Sequence, residues 1–246
     1  MPTCLTRSFL FAATFLLVGA ASALAVGTPA GTDIVNQATA TYDVGPQTFT
    51  QSSNVTTTRV AELINVSVVW QDAANVQVGS GDTDQILTYR VTNTGNGSDT
   101  YTLTAVSTLS GDDFDPVFSG LYLDSNGNGV YDPGTDAAYV QGVNDPLLGA
   151  NEFLTIFSAN DIPTGRADGD LGDSDLTATS RTGSGAPGTV ISGSGESGTD
   201  AVVGTTGGAG TDIGTYAVSS VALSLIKSVT VADPFGGTEP VPGAVL

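Results

Sequence analysis

From residue 34 onward, apolar side chains tend to return at every second position, in short runs broken by Gly, Asn, Asp and Pro. Residues 34–42 alternate, Gly45-Pro46 turns, and residues 48–60 run back, which predicts a β-hairpin. Ile34, Asn36, Ala38, Ala40 and Tyr42 share its more apolar face, the face expected to meet a core. Residues 63–70 follow, with Ile64, Val66 and Val68 on one side. Residues 85–92 set Leu87, Tyr89 and Val91 opposite Ile86, Thr88 and Arg90. After a turn cluster at 93–98, residues 100–106 bring Tyr101, Leu103 and Ala105 together. Shorter runs at 120–123, 138–140, 152–157 and 174–180 read as further strands. No window after the N-terminal segment repeats with the 3.6-residue period of a helix. The pattern predicts an all-β chain: an immunoglobulin-like antiparallel β-sandwich over residues 63–181, interrupted by a long acidic insertion loop between Ser110 and Asp145.

The pattern changes at three places. Residues 8–21 are uncharged and almost continuously apolar, preceded by Arg7 and ending in the small-residue sequence Ala21-Ser-Ala-Leu-Ala25. A basic start, an apolar middle and an A-x-A ending predict a signal peptide over residues 1–25, hence export and no membrane span in the mature chain. Residues 26–62 are the hairpin region. Residues 182–212 hold ten glycines in 31 positions and few large apolar side chains, and read as a flexible Gly-rich linker with one short strand at 201–203. Alternation resumes over 213–246. Residues 222–230 echo residues 65–73, as though an incomplete second repeat starts there. Three fates are open for 221–246: folding back on its own sandwich, opening a further domain, or adding as a strand to a neighbouring subunit.

The run Ile86-Leu-Thr-Tyr-Arg-Val-Thr-Asn-Thr-Gly-Asn-Gly-Ser-Asp-Thr-Tyr-Thr-Leu resembles a bacterial repeat domain of unknown function with a TYTxTVTNTG signature, found in large secreted and cell-surface proteins. Residues 30–42, with Ser53-Asn-Val55 after them, resemble the N-terminal part of such proteins. The resemblance implies an immunoglobulin-like fold, a structural or adhesive role at a surface, and no catalytic residues.

Composition narrows the chemistry. The chain has 25 acidic and 6 basic residues, a formal charge of −19, one cysteine and no histidine. Loss of residues 1–25 removes Arg7 and Cys4 but no acid, which takes the charge to −20 and leaves no thiol for a disulfide. Without histidine there is no Ser-His-Asp triad and no histidine metal site. So acidic a chain is repelled by phosphate backbones, so no nucleic-acid partner is expected. Self-repulsion of this size favours a bound cation.

One motif has ligand spacing. In Asp124-Ser-Asn-Gly-Asn-Gly-Val-Tyr-Asp132-Pro-Gly-Thr-Asp136, oxygen-bearing side chains fall at positions 1, 3 and 5 (Asp124, Asn126, Asn128). Gly129 stands at position 6, the Val130 carbonyl at 7, Asp132 at 9, and Asp136 one place beyond position 12. Calcium takes six to eight hard oxygens from such a loop. The loop resembles those of dockerin and thrombospondin type 3 repeats, although position 12 is Thr135 rather than a bidentate Glu and the flanks read as strands. Asp112, Asp113 and Asp115 are candidates to complete the site, and Asp168, Asp170, Asp173 and Asp175 form a second cluster, each more simply a solvated loop. The four glutamates, Glu62, Glu152, Glu196 and Glu239, sit in no hydrolase motif. The expected function is a secreted, non-enzymatic structural or adhesive surface protein stabilised by calcium, with other surface proteins or further copies of itself as partners through strand pairing. The alternative is a carbohydrate- or ligand-binding β-module of a larger secreted protein.

Overall fold

The computed structural model describes residues 27–220. The expected signal peptide and residues 221–246, with the incomplete repeat, lie outside them. Among the described residues seventeen strands run in chain order. The first four are β1 (Asp33–Asn36), β2 (Thr39–Val44), β3 (Gln47–Ser52) and β4 (Thr56–Arg59). They are followed by β5 (Glu62–Ile64), β6 (Val66–Trp70), β7 (Val76–Val78), β8 (Gln85–Asn93), β9 (Asp99–Val106) and β10 (Val117–Leu123). The rest are β11 (Ala137–Ala138), β12 (Leu147–Leu148), β13 (Phe153–Asp161), β14 (Leu171–Ser180), β15 (Val190–Ile191), β16 (Ala201–Val203) and β17 (Ala209–Val218).

Two five-stranded sheets make the body, in the orders β11-β10-β13-β8-β6 and β12-β9-β14-β17-β7. The long pairs are antiparallel, β8 with β13, β14 with β9 and β14 with β17, while β7 runs parallel to β17. The first sheet has the A-B-E-D succession of an immunoglobulin-like sandwich in β6, β8, β13 and β10. The second has G-F-C in β17, β14 and β9. The expected fold class therefore stands, and the strand alternation explains it. Val66, Leu87, Tyr89, Val91 and Ile156 from one sheet meet Tyr101, Leu103, Leu176, Ala178 and Tyr216 from the other, all essentially buried. The polar residues between them in sequence face out.

The hairpin forms where the turn predicted it, with Tyr42 opposite Phe49 and Asp33 opposite Arg59. Its expected core face meets no core. Ile34 and Tyr42 are about half exposed, and every residue of β1–β4 is exposed. Alternation makes an amphipathic ribbon, but burial needs a second layer, and the body's two sheets already close on each other.

The sandwich also extends past Arg181, where its end was expected. Its last strand, β17, begins at Ala209, inside the glycine-rich stretch. Residues 182–208 lead to it through a small sheet, β15-β16-β5, that contains the expected strand at 201–203. Few large side chains hold this stretch. Main-chain bonds do, such as Gly204 N to the Ile64 carbonyl and Ser180 N to the Gly208 carbonyl. Glycine is required where strands approach closely. A Cβ on Gly214 would stand 2.8 Å from the Tyr89 hydroxyl, and one on Gly210 3.0 Å from the Val66 carbonyl. No helix among the described residues is long and apolar enough to cross a membrane.

Candidate metal centre

β10 ends at Leu123, and the chain enters the 124–136 loop before returning in β11, which pairs with the end of β10 through Leu123 and Ala137. The loop is therefore closed at its neck by a strand pair. The two carboxylates at its ends are nearly buried, Asp124 and Asp136 being 5% and 6% exposed. Asp124 accepts Gly127 N–H at 2.8 Å on one oxygen and Gly129 N–H at 2.9 Å on the other. Asp136 accepts Ser125 N–H at 3.0 Å and Asp132 N–H at 2.7 Å, tying the two arms together. Asn126 and Asn128 accept the main-chain N–H two residues on, and both side-chain amides donate to one Asp132 oxygen, at 2.8 and 2.7 Å. The bends need left-handed backbone at Gly127 and Gly129, with φ of 69° and 74°. Tyr131 fixes the loop to the sheet, packed on Tyr122 and Phe157 at centroid distances of 4.8 and 5.7 Å. Burial, then the neighbouring Tyr122, pushes its hydroxyl pKa up to about 12.

Asp124, Asn126, Asn128, Asp132 and Asp136 are thus wired into one hydrogen-bonded loop, while the Val130 side chain points to solvent. Among the described residues the two ion pairs are Asp33–Arg59 and Asp145–Arg181, so no cationic side chain pairs with the loop. Nor does any group of three or more Asp, Glu, His or Cys gather in metal-binding geometry among the described residues. The chemistry of the donor set still suits a hard cation. Each Asp124 and Asp136 oxygen has lone-pair capacity beyond the one N–H it accepts, and the Asn126 and Asn128 amides stand against Asp132 where a shared cation could replace their N–H bonds.

The other acids do not join this loop. Asp112 and Asp113 accept N–H groups of Asp173 and Leu171, at the start of β14. Asp115 lies before β10, a strand's length away from Asp124. Asp168, Asp170 and Asp175 cap main-chain N–H groups of Ser220, Ala167 and Val106, and Asp173 takes the Thr215 hydroxyl. The second cluster is a set of loop and strand-end fasteners.

A buried acid, Glu62, escaped the sequence analysis. Glu62, 2% exposed, accepts Glu196 N–H at 2.5 Å, and the Glu196 side chain accepts Ser98 N–H at 2.9 Å. Burial raises the Glu62 pKa, the bond from Glu196 N–H opposes this, and Asp99 and Glu196 add repulsion. The partners lie 134 residues apart, so no local spacing could show them.

The Asn93-Thr-Gly-Asn-Gly97 turn behind the family resemblance also has a structural account. Asn93, 1% exposed, donates to the Gly97 and Leu148 carbonyls and accepts Gly95 N–H. A Cβ on Gly95 would lie 2.1 Å from the Leu63 carbonyl. The turn therefore locks β8, β5 and β12 together.

No protein-family model matches this chain, and no curated protein does. Among solved structures, a PapD-like domain of human CEP192 (PapD-like domain 7) is similar at 12% identity, over 65% of this chain and 88% of that one, with a TM-score of 0.26.

Proposed function

We propose that this chain is an exported, non-enzymatic structural or adhesive module of a cell surface, and that calcium in the 124–136 loop stabilises it. The observation behind the proposal is the loop itself: two nearly buried carboxylates and a third between them, on a chain of charge −19, with no cationic side chain paired to them among the described residues. A divalent cation relieves that charge and supplies the rigidity that disulfides give other exported domains. With two neutral amide ligands the affinity is that of weak extracellular sites, a Kd on the order of 10⁻⁴ to 10⁻³ M. Other surface proteins, or further copies of the chain, are the partners of such a module.

Thermal melts of the exported chain in calcium and in chelator test this. Binding to the folded state alone adds about 1.4 kcal/mol at ten times Kd, so the melting temperature rises with calcium. Asp124→Ala removes the rise. Equal melting temperatures in the two buffers refute the calcium site, and saturable binding to one sugar class on a glycan array would replace the structural role with carbohydrate recognition.

A further inference from the structure

Among the described residues the sandwich is open along one side. On its outer edge β9 is strand-paired, among the described residues, at Asp99 and Thr100 with β12, and β10 at Tyr122 and Leu123 with β11. Between these ends the Leu103 N–H is capped by the Tyr139 hydroxyl at 2.9 Å, and among the described residues 104–106 and 117–120 leave two sheet edges facing one groove. Two adjoining cavities of about 440 and 510 Å³ share Ala105 and Phe118 and follow it. Its apolar lining residues are Leu103, Ala105, Val117, Phe118, Leu121 and Tyr139, interspersed with hydroxyl and amide side chains. Val117 and Phe118 are 56% and 43% exposed. Open edges with apolar flanks are templates for a further strand.

The N-terminal hairpin has the complementary deficiency. Among the described residues β2 and β3 pair with each other alone, so each keeps a free edge there. Their register puts Ala40, Tyr42, Val44 and Phe49 on one face, with Tyr42 and Phe49 stacked at 5.5 Å in solvent. A two-stranded ribbon is marginal alone and gains by joining a larger sheet. Charge restricts what can cover either surface. Copies of a chain at −19 repel each other, and contact is least opposed where charge is sparse. Between residues 34 and 58 the one charge is Asp43, which lies on the opposite face with Thr41 and Thr50, and in the groove the one charged lining residue is Asp115.

The two surfaces belong to opposite ends of β9. The hairpin leaves the body beside the β8–β9 turn, held by Ala30 N–H on the Asn96 carbonyl and by the Asn96 amide on the Thr28 and Ala61 carbonyls. The groove lies toward Val106. A contact between different patches on two copies does not close on itself and propagates.

We propose that the hairpin formed by β2 and β3 of one copy adds to the β9–β10 groove of a second copy, and that repetition of this contact builds a head-to-tail fibre. The proposal rests on the reading of the chain as a structural module and names its partner as the chain itself.

The exported chain, which carries no cysteine of its own once residues 1–25 are lost, tests it. Val44→Cys and Ser119→Cys variants are mixed, oxidised and resolved without reductant. Disulfide heterodimers exceeding either homodimer at least tenfold are the expected result. Light scattering should show mass that grows with concentration past a dimer. Tyr42→Ser with Phe49→Ser should return it to the monomer, as should Thr104→Lys with Ser119→Lys, which charges the groove edge and spares the core. Dominant Val44→Cys homodimers would place hairpin on hairpin and overturn the proposal. Efficient intrachain pairing of Ser119→Cys with Leu223→Cys would do the same, by filling the groove from the same copy. So would a monomer at every concentration. The calcium shift in melting temperature is read on the same samples, so a calcium-responsive monomer overturns the assembly alone.

Discussion

The hairpin of β1–β4 and the sandwich body are written in the same two-residue alternation, yet one is wholly exposed and the other encloses Leu87, Tyr89 and Val91 completely. The difference lies in what each ribbon faces. In the body, β8 is flanked by β13 and β6 and covered by the second sheet, so every apolar side chain has neighbours on all sides. In the hairpin, Tyr42 has Phe49 beside it and water above. Period two therefore reports the strand and its two faces. Which face is buried depends on a layer whose residues lie elsewhere in the chain.

The sharpest way to break this comparison is to shorten one side chain in each region. Leu87→Ala should lower unfolding free energy by about 2–5 kcal/mol, because a methyl-lined cavity opens between two packed sheets. Ile34→Ala, on the same kind of alternation, should change it by less than about 0.5 kcal/mol in dilute protein. Urea unfolding measures both, and comparable losses would mean that the hairpin is packed in solution. A somewhat smaller effect comes from the turn joining the two regions. Gly95→Ala forces a methyl against the Leu63 carbonyl and should cost about 1–3 kcal/mol, while Gly45→Ala at the hairpin tip meets no atom within 4 Å and pays only for its positive φ of 62°. If the two substitutions proved equally mild in the same unfolding assay, the turn would not be the lock described.

The smallest effect is a slope. Glu62 holds its proton more tightly folded than unfolded, chiefly through burial. As pH rises from the ordinary glutamate range toward the raised folded value, the folded state retains protons that the unfolded state has lost, and stability falls. Glu62→Gln keeps an oxygen for Glu196 N–H and removes the charge. Melting temperature across pH 4 to 7 should therefore decline less for the variant, and parallel curves would show that Glu62 ionises at no cost.

Much of this architecture is legible in the sequence, for a physical reason in each case. Strands six residues or longer announce themselves because alternation needs several periods to stand out, as in β8, β9 and β14. β7, β12 and β15, of two or three residues, have no periods to show. β17 was only half legible. Its first residues are glycine-rich because Gly210 and Gly214 must let β6 and Tyr89 come close, and composition alone reads such glycines as slack. The 124–136 loop was legible because its oxygens are neighbours in sequence. The Glu62–Glu196 contact was not, since it exists only after the chain between them has folded.

The position of β17 also sets an order of events. This strand lies between β14 and β7 inside its sheet, and its Asp212 carboxylate receives the Trp70 N–H from 142 residues earlier. No shorter segment can complete that sheet. A nascent chain must release residue 218 before the sandwich closes, and non-local β topologies of this kind fold in milliseconds to seconds. On the reading of residues 1–25 as an export signal, that delay is useful: the precursor stays threadable while it crosses a membrane, and closure follows on the far side.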